Sequence, residues 1–540
     1  MRKTDTSAPN AVFPPASLAT GLVANGAGDL LSHAPPTTRL TQHVRRFVAA
    51  ARRSPAAYVT LYALIWSLVS AMLDPTVPFD AVEAYNWARN VEWGTPKNPW
   101  LVGFSLWPAL GLHGNALAAY WYLSHFAGVA GGLLGVWHLA HRLSGDRCLA
   151  WVAMLSLHLS GAINIDILPY NDNFLLVMLW PWMLWLFIRA MFDTPRLWPV
   201  FAVVAGLAAM TKYSTFALLG MMFIVTLWTP QARRHYRHPA FLLGLVIFVA
   251  MLVPNIVWLA HHDFAAFRWV DDQIKPHLNS RALRGALSAF YPLIVLALIV
   301  RVTGGRLTWP WQVPTASQQG MAPPCAPVVI VTCVLLPPLL PILVYFTWHE
   351  GGRISEWLQP FAIPAPALLV ACVRPGGHAR LWRAARWLPA AGALVLLGYA
   401  GFLSANVRNA GQKFVGLKEA SVSLEQRWQA RYHTPLRYVG HDNVATWMTF
   451  YAPGNPHLLS RWSTEHRPNI YTKDIDAADV RQQGVMLLGH PGKPCRRAGF
   501  GKTLVQWPDL QIDAYETVPF TYHGNGDPVP MCVAYVAPQP

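Results

Sequence analysis

Asp80 and Glu83 stand three residues apart in the polar stretch FDAVEAYNWARNVEWGTPKNPWLVGF, Phe79 to Phe104, directly after an apolar run. Residues i and i+3 share a face of one helical turn, so both carboxylates would converge on the same metal, cation or acceptor hydroxyl. The competing reading is a pair of solvated loop carboxylates. Lys97 in the same stretch, Lys212 at the end of an unusually short apolar run and Arg353 in GGRISEWLQPF put positive charge where apolar segments stop. An ionisable group at such a boundary is costly and usually has a partner or a task, although a lysine at a helix end also snorkels. Asn171, Asp172 and Asn173 open another apolar run, where they could bind sugar hydroxyls or terminate a helix. His262 and Asp263 form either a hydrogen-bonded pair or a loop cap, and Asp166 is an isolated carboxylate.

These residue types suit the transfer of a group from a phosphate leaving group to a hydroxyl. A positioned carboxylate such as Asp80 is a general base for the hydroxyl, and Glu83 would orient the acceptor or help hold a divalent ion. Lysine as a point charge and arginine as a planar fork would neutralise a departing phosphate. The Rossmann-type glycine fingerprint of nucleotide-binding machinery is missing. No cysteine or histidine spacing calls for zinc, and ligand spacing does not support another metal.

The elements that must position these groups are membrane helices. Of 540 residues, 54% are hydrophobic and 13% charged, against roughly 25% charged in soluble proteins. Apolar runs at 56–73, 116–140, 148–165, 174–192, 199–212, 214–229, 241–260, 286–301, 326–346, 358–373 and 387–404 predict about eleven crossings of an α-helical polytopic membrane protein. The net charge of +16 comes from arginines in short loops, which are topology signals and not a nucleic-acid surface. Arg45, Arg46, Arg52 and Arg53 precede the first run; Arg142 and Arg147, Arg233, Arg234 and Arg237, and Arg374, Arg380, Arg383 and Arg386 occupy alternate loops. These loops are predicted cytoplasmic. The intervening loops, Asp74–Asn115, Asp166–Asn173, His261–Arg284 and Trp348–Glu356, hold most of the loop carboxylates and are predicted to face outside.

Residues 1–41, rich in Ala, Pro, Thr and Ser, read as a disordered cytoplasmic tail and not a cleaved signal peptide. Residues 42–404 form the multi-spanning domain. Residues 405–540 are polar, broken by Pro and Gly, and contain β-prone runs at Arg437–Gly440, Val485–Leu488 and Met531–Val536. They predict a C-terminal α/β domain in the periplasm. An oxidising compartment there would let Cys495 and Cys532 pair; the other four cysteines read as small hydrophobes. Most of the 25 tryptophans sit near run ends, as interfacial anchors do.

A carboxylate pair in the first outer loop, followed by an aromatic segment, Gly and a Lys-x-Pro turn, resembles the bacterial family 39 membrane glycosyltransferases, relatives of protein O-mannosyltransferases and aminoarabinose transferases. Many members read D-x-x-E-A, then W, GYY and K-H-P-P-L. Asp80, Glu83, Ala84, Trp87, Gly94, Lys97, Pro99 and Leu101 match, while Thr95-Pro96, Asn98 and Trp100 depart. LPYNDNFLLVMLWPWMLWLF (Leu168 to Phe187), GLAAMTKYSTFALL (Gly206 to Leu219, with Lys212-Tyr213) and PNIVWLAHHDFAAFRW (Pro254 to Trp269) are similar to later segments of the family, in order. The resemblance implies a polyprenyl-phosphate-linked sugar donor, single displacement with inversion, and an acceptor that is an envelope lipid, glycan or protein at the outer face of a bacterial inner membrane. An aminoarabinose-type transfer to lipid A is the alternative within the class. A transporter of a lipid or sugar intermediate is disfavoured because the ionisable groups gather at one face instead of the bilayer midplane.

Overall fold

A computed structural model describes residues 54–169, 172–273, 275–276, 281–313, 326–350, 354–405, 416–441, 443–459, 475–521 and 527–539. The expected tail 1–41, Asn171 and Arg353 lie outside the described residues.

Helix α1 (Pro55–Leu73) starts where the Ser54 side chain accepts the Ala57 N–H and Pro55 occupies the first turn. Such a start satisfies an otherwise orphaned donor and presets φ. Past Asp74 the chain turns into α2 (Phe79–Arg89), the helix of the carboxylate pair, with Asp80 in its first turn. There the partial positive charge of the helix terminus favours a carboxylate. Helix α3 (Gly114–Ser144) runs for 31 residues and stops at Gly145, whose φ of 70° suits a left-handed cap. It packs along α1 and along α4 (Asn173–Phe192). The α3–α4 contact is a glycine stripe: a Cβ at Gly132 would lie 2.3 Å from the Val177 carbonyl oxygen, and one at Gly128 2.8 Å from the Phe174 ring. Small residues let the backbones approach, and van der Waals contact drives helix association in lipid.

Helix α5 (Trp198–Ala209) leads through a short turn into α6 (Thr215–Trp228), and α7 (Pro239–His261) packs on α5. Beyond α7 come α8 (Ala265–Gln273) and, later, α9 (Ile354–Ala362). Among the described residues, seven helices have the length and apolar composition to cross a membrane, and three shorter apolar helices cover Arg147–Leu159, Pro195–Ala209 and Thr215–Trp228. The interval expected as a span at 358–373 is two short helices, α9 and Ala365–Ala371. Pro364 directly precedes the second, and proline supplies no backbone donor to continue the first. Among the described residues, therefore, the expected spans are not all long, continuous helices.

After residue 416 the character changes. Helix α10 (Leu417–Tyr432) and helix α11 (Asn443–Tyr451) accompany a five-stranded sheet of β1 (Tyr438–His441), β2 (His457–Leu458), β3 (Val485–Leu488), β4 (Ala514–Phe520) and β5 (Val529–Val536). The order is β2-β1-β3-β5-β4; β1 is parallel to β2 and β3, and β5 antiparallel to β3 and β4. The three β-prone runs lie in β1, β3 and β5. Residues of β3 are buried throughout, as a strand covered on both faces requires. Cys495 and Cys532 form a disulfide, which ties the segment after β3 to the central part of β5.

The bridge closes 37 residues, and loops of that order stabilise a fold by about 2–4 kcal/mol through the unfolded chain. Both cysteines should resist thiol labelling until reduced, and Cys532→Ser should lower the unfolding temperature of the purified protein. Full labelling of both without reductant would disprove the bridge.

Candidate active site

Asp80 and Glu83 lie on one face of α2, as their spacing demands, and share one cation. Lys97 Nζ stands 3.5 Å from Asp80 Oδ2 and 3.2 Å from Glu83 Oε2, and the Glu83 side chain is only 1% exposed. The lysine reaches them from a tight loop. The Thr95 hydroxyl donates to the Asn98 carbonyl at 2.8 Å and accepts the N–H groups of Asn98 (2.8 Å) and Lys97 (3.2 Å), while Gly94 and Pro99 form a β-bridge. Thr95-Pro96 and Asn98, where the chain departs from the family pattern, thus build this loop. Gly94 is required by contact: a Cβ there would fall 2.2 Å from the Trp258 ring.

A second ion pair adjoins the first. Lys212, in the turn after α5, places Nζ 2.8 Å from Asp172 Oδ2 and donates to Asn173 Oδ1 at 3.2 Å. The Asn173 amide donates to Gln359 Oε1 (2.7 Å) and to the Glu356 carbonyl (3.0 Å) on α9. Burial pushes the Asp172 carboxyl up, but Lys212 and then Lys97, with the Lys212 hydrogen bond, outweigh it and hold the group below its ordinary range. Asp172 therefore feels both lysines. The Leu101 N–H donates to the Met210 carbonyl at 3.0 Å, joining the two lysine-bearing turns. An indole faces each ammonium at 5.6 Å, Trp269 for Lys97 and Trp357 for Lys212, a favourable placement over the ring's negative face.

Around this centre lies a supporting layer in which Tyr213 and His262 meet Asn255, Glu92 and Trp93, residues that sequence reasoning did not single out. The Tyr213 hydroxyl donates to Asn255 Oδ1 at 3.1 Å, and the Asn255 amide donates to the Trp93 carbonyl at 2.7 Å. Glu92 accepts the Trp258 indole N–H and lies 3.8 Å from His262 Nε2. A polar residue inside an apolar run, as Asn255 and Gln359 are, was the signal available for both. The His262–Asp263 pair does not form. His262 stacks on Trp258 and turns toward Glu92, whereas the Asp263 side chain is 84% exposed and meets Arg268 at 3.8 Å. Asp263 adopts a positive φ of 49° in the turn.

The opposite face of α2 is clamped by the C-terminal segment. Asn86 donates to Thr449 Oγ1 (2.8 Å), Arg89 to the Pro456 carbonyl (2.9 Å) and Asn455 to the Tyr85 hydroxyl (3.0 Å). Phe79 meets Trp447 edge to face. Among the described residues no three His, Cys, Asp or Glu side chains gather as a metal site needs, and Asp80 and Glu83 converge instead on a lysine.

Residues 96–258 match the family described as dolichyl-phosphate-mannose-protein mannosyltransferase. The resemblance carried by the sequence motifs is borne out. The chain also shares its fold with ArnT from Cupriavidus metallidurans, crystallised with undecaprenyl phosphate, at 14% identity over 92% of this chain and 98% of that one, with a TM-score of 0.55. An oligosaccharyltransferase from Archaeoglobus fulgidus, tethered to an acceptor peptide, aligns at 11% identity over 87% of this chain and 74% of the other, with a TM-score of 0.40. No curated protein sequence matches.

Removing one member of a buried ion pair strands the other charge, at about 3–5 kcal/mol. Asp172→Asn should thus lower thermal stability markedly, and Lys212→Met in the same chain should restore part of it. Because the folded carboxyl titrates below its unfolded value of about 3.9, its contribution is present above that pH and lost as pH falls through the folded value. Thermal melts of the variants from neutral to acid pH check both; equal melting of Asp172→Asn and wild type at neutral pH would remove the pair from the stability argument.

Proposed function

We propose that the protein is a glycosyltransferase that moves one sugar from a polyprenyl-phosphate donor to an envelope lipid, glycan or protein at the periplasmic face of a bacterial inner membrane. The observation that carries the reading is the buried cluster of Asp80, Glu83 and Lys97 beside Asp172 and Lys212, in and next to the segment that matches the mannosyltransferase family. The lipid in the ArnT crystal, undecaprenyl phosphate, supports the donor class.

In this mechanism Asp80 takes the proton of an acceptor hydroxyl as its oxygen attacks the anomeric carbon. The bond from that carbon to the phosphate oxygen breaks on the opposite side, the electron pair leaves with the polyprenyl phosphate, and the sugar inverts. Lys97 and Lys212 offset the charge that gathers on the phosphate, and fixed cations in a site of low dielectric are effective there because they need no reorganisation. Arg353 is a further candidate for that role, Asn171 for sugar hydroxyls and Tyr213 for the donor side. Glu83 orients Lys97 and the acceptor. Asp80 is the better base of the two because its side chain, at 17% exposure against 1% for Glu83, is open to an incoming hydroxyl.

The topology follows the arginine loops. Counting the three short apolar helices and the broken 354–371 segment as crossings retains eleven, with the N-terminus cytoplasmic and the sheet domain of residues 405–540 periplasmic. Reporter fusions after Arg237 and Arg386 should report cytoplasm, and fusions after Lys97, Asp172 and Lys413 periplasm. Cytoplasmic signals at Asp172 and Lys413 would overturn the arrangement.

Asp80→Asn should lower turnover by about 10²–10⁴-fold, the range for loss of a positioned general base, without weakening donor binding. Single-turnover transfer from a polyprenyl-phosphate sugar, with products identified by mass spectrometry of envelope extracts from cells with and without the protein, checks the rate and the acceptor. Undiminished turnover of Asp80→Asn would exclude it as the base.

A further inference from the structure

Both lysines are enclosed alike, but the enclosures differ in stiffness. An ammonium group has three N–H donors. Lys97 directs Nζ to Asp80 at 3.5 Å and Glu83 at 3.2 Å, and the Trp269 ring stands 5.6 Å away on another side. Lys212 meets Asp172 at 2.8 Å and Asn173 Oδ1 at 3.2 Å, with Trp357 at 5.6 Å. A phosphate can reach either ammonium closely only by taking the place of something already there.

What surrounds Lys212 resists displacement. Asn173 is fixed from α9 by the Gln359 side chain and the Glu356 carbonyl, Asp172 directly precedes it, and the Lys212 contact to Asp172 is the shortest of the set. Lys97 meets two side chains from a single turn of α2, and the longer contact is to Asp80.

We propose that the donor phosphate displaces Asp80 and Glu83 from Lys97 while Lys212 keeps Asp172, so that donor binding itself releases Asp80 to serve as base. This rests on the phosphate-donor reading above and adds an order to it. Before the donor arrives, the carboxylates hold the place of the phosphate and keep Lys97 neutralised. Once it has arrived, Asp80 has left Lys97 and can turn to the acceptor beside the anomeric carbon. Without a donor, Asp80 stays engaged with the Lys97 ammonium, which guards against idle acceptor activation.

The consequence has an unusual sign: removing a carboxylate from the site should strengthen binding of the phosphate. In full-length protein held in nanodiscs, titration with undecaprenyl phosphate should give binding at least about threefold tighter for Asp80→Asn and for Glu83→Gln than for wild type, a coupling typical of groups in contact. The gain should vanish in a Lys97→Met background, because the competition acts through that ammonium. Asp172→Asn should give no such gain. Glu83 is the more buried of the two, so Asp80→Asn carries the test if Glu83→Gln does not fold. Unchanged or weaker binding in Asp80→Asn would overturn the exchange, and so would an equal gain with and without Lys97, which would mark general charge repulsion. Wild-type protein that binds no undecaprenyl phosphate would sink the donor reading itself, whereas binding with indifferent carboxylate variants sinks the exchange alone.

Discussion

Two ammonium groups buried at the end of an apolar bundle can stay charged only if carboxylates lie within contact distance. Taking an unpaired lysine out of water costs several kcal/mol, enough to neutralise it. Lys97 and Lys212 escape this through Asp80, Glu83 and Asp172, and those three side chains come from two helices whose positions have separate causes. Asp172 stands where it does because α4 is pressed on α3 along the glycine stripe. Asp80 and Glu83 stand where they do because α2 is held on its far face by α11.

The C-terminal sheet segment thereby becomes part of the site without contributing a reactive group that the mechanism needs. Helix α2 has 11 residues, short for a helix that would persist alone. Its polar back, Asn86 and Arg89, and its aromatic back, Phe79 and Tyr85, are satisfied by Thr449, Pro456, Trp447 and Phe450. The Val77 N–H donates to the Tyr451 hydroxyl and the Trp447 indole to the Val77 carbonyl, which fixes the backbone leading into α2. A rigid mounting of this kind keeps a carboxylate pair within the tolerance that positioned catalysis demands.

Much was legible from residue types alone. Composition and run length identified a polytopic helical chain, because lipid requires every backbone group of a span to be satisfied within its own helix. Alternation of arginine loops and the three-residue spacing of Asp80 and Glu83 are local properties, and so the shared face of that pair appears in the helix as expected. The motif order carried the resemblance, which the match at 96–258 bears out. Asp172, Asn173, Lys212 and Tyr213 were legible too, each as an ionisable or polar group where an apolar run begins or ends.

What the sequence by itself determined was therefore which groups had to find partners; which partner each found was decided by the tertiary structure. Lys97 lies 17 residues from Asp80, and Lys212 lies 39 from Asn173, and nothing in a one-dimensional pattern says which carboxylate each lysine meets. At His262 and Asp263 the capping alternative holds: His262 caps α7 and its ring lies 3.8 Å from Glu92, while the Asp263 side chain is exposed. Glu92, Asn255 and Gln359 gained their roles only when α7 packed against the first loop and α9 against the start of α4, since a hydrogen bond forms between groups that folding brings within about 3 Å, whatever their distance along the chain.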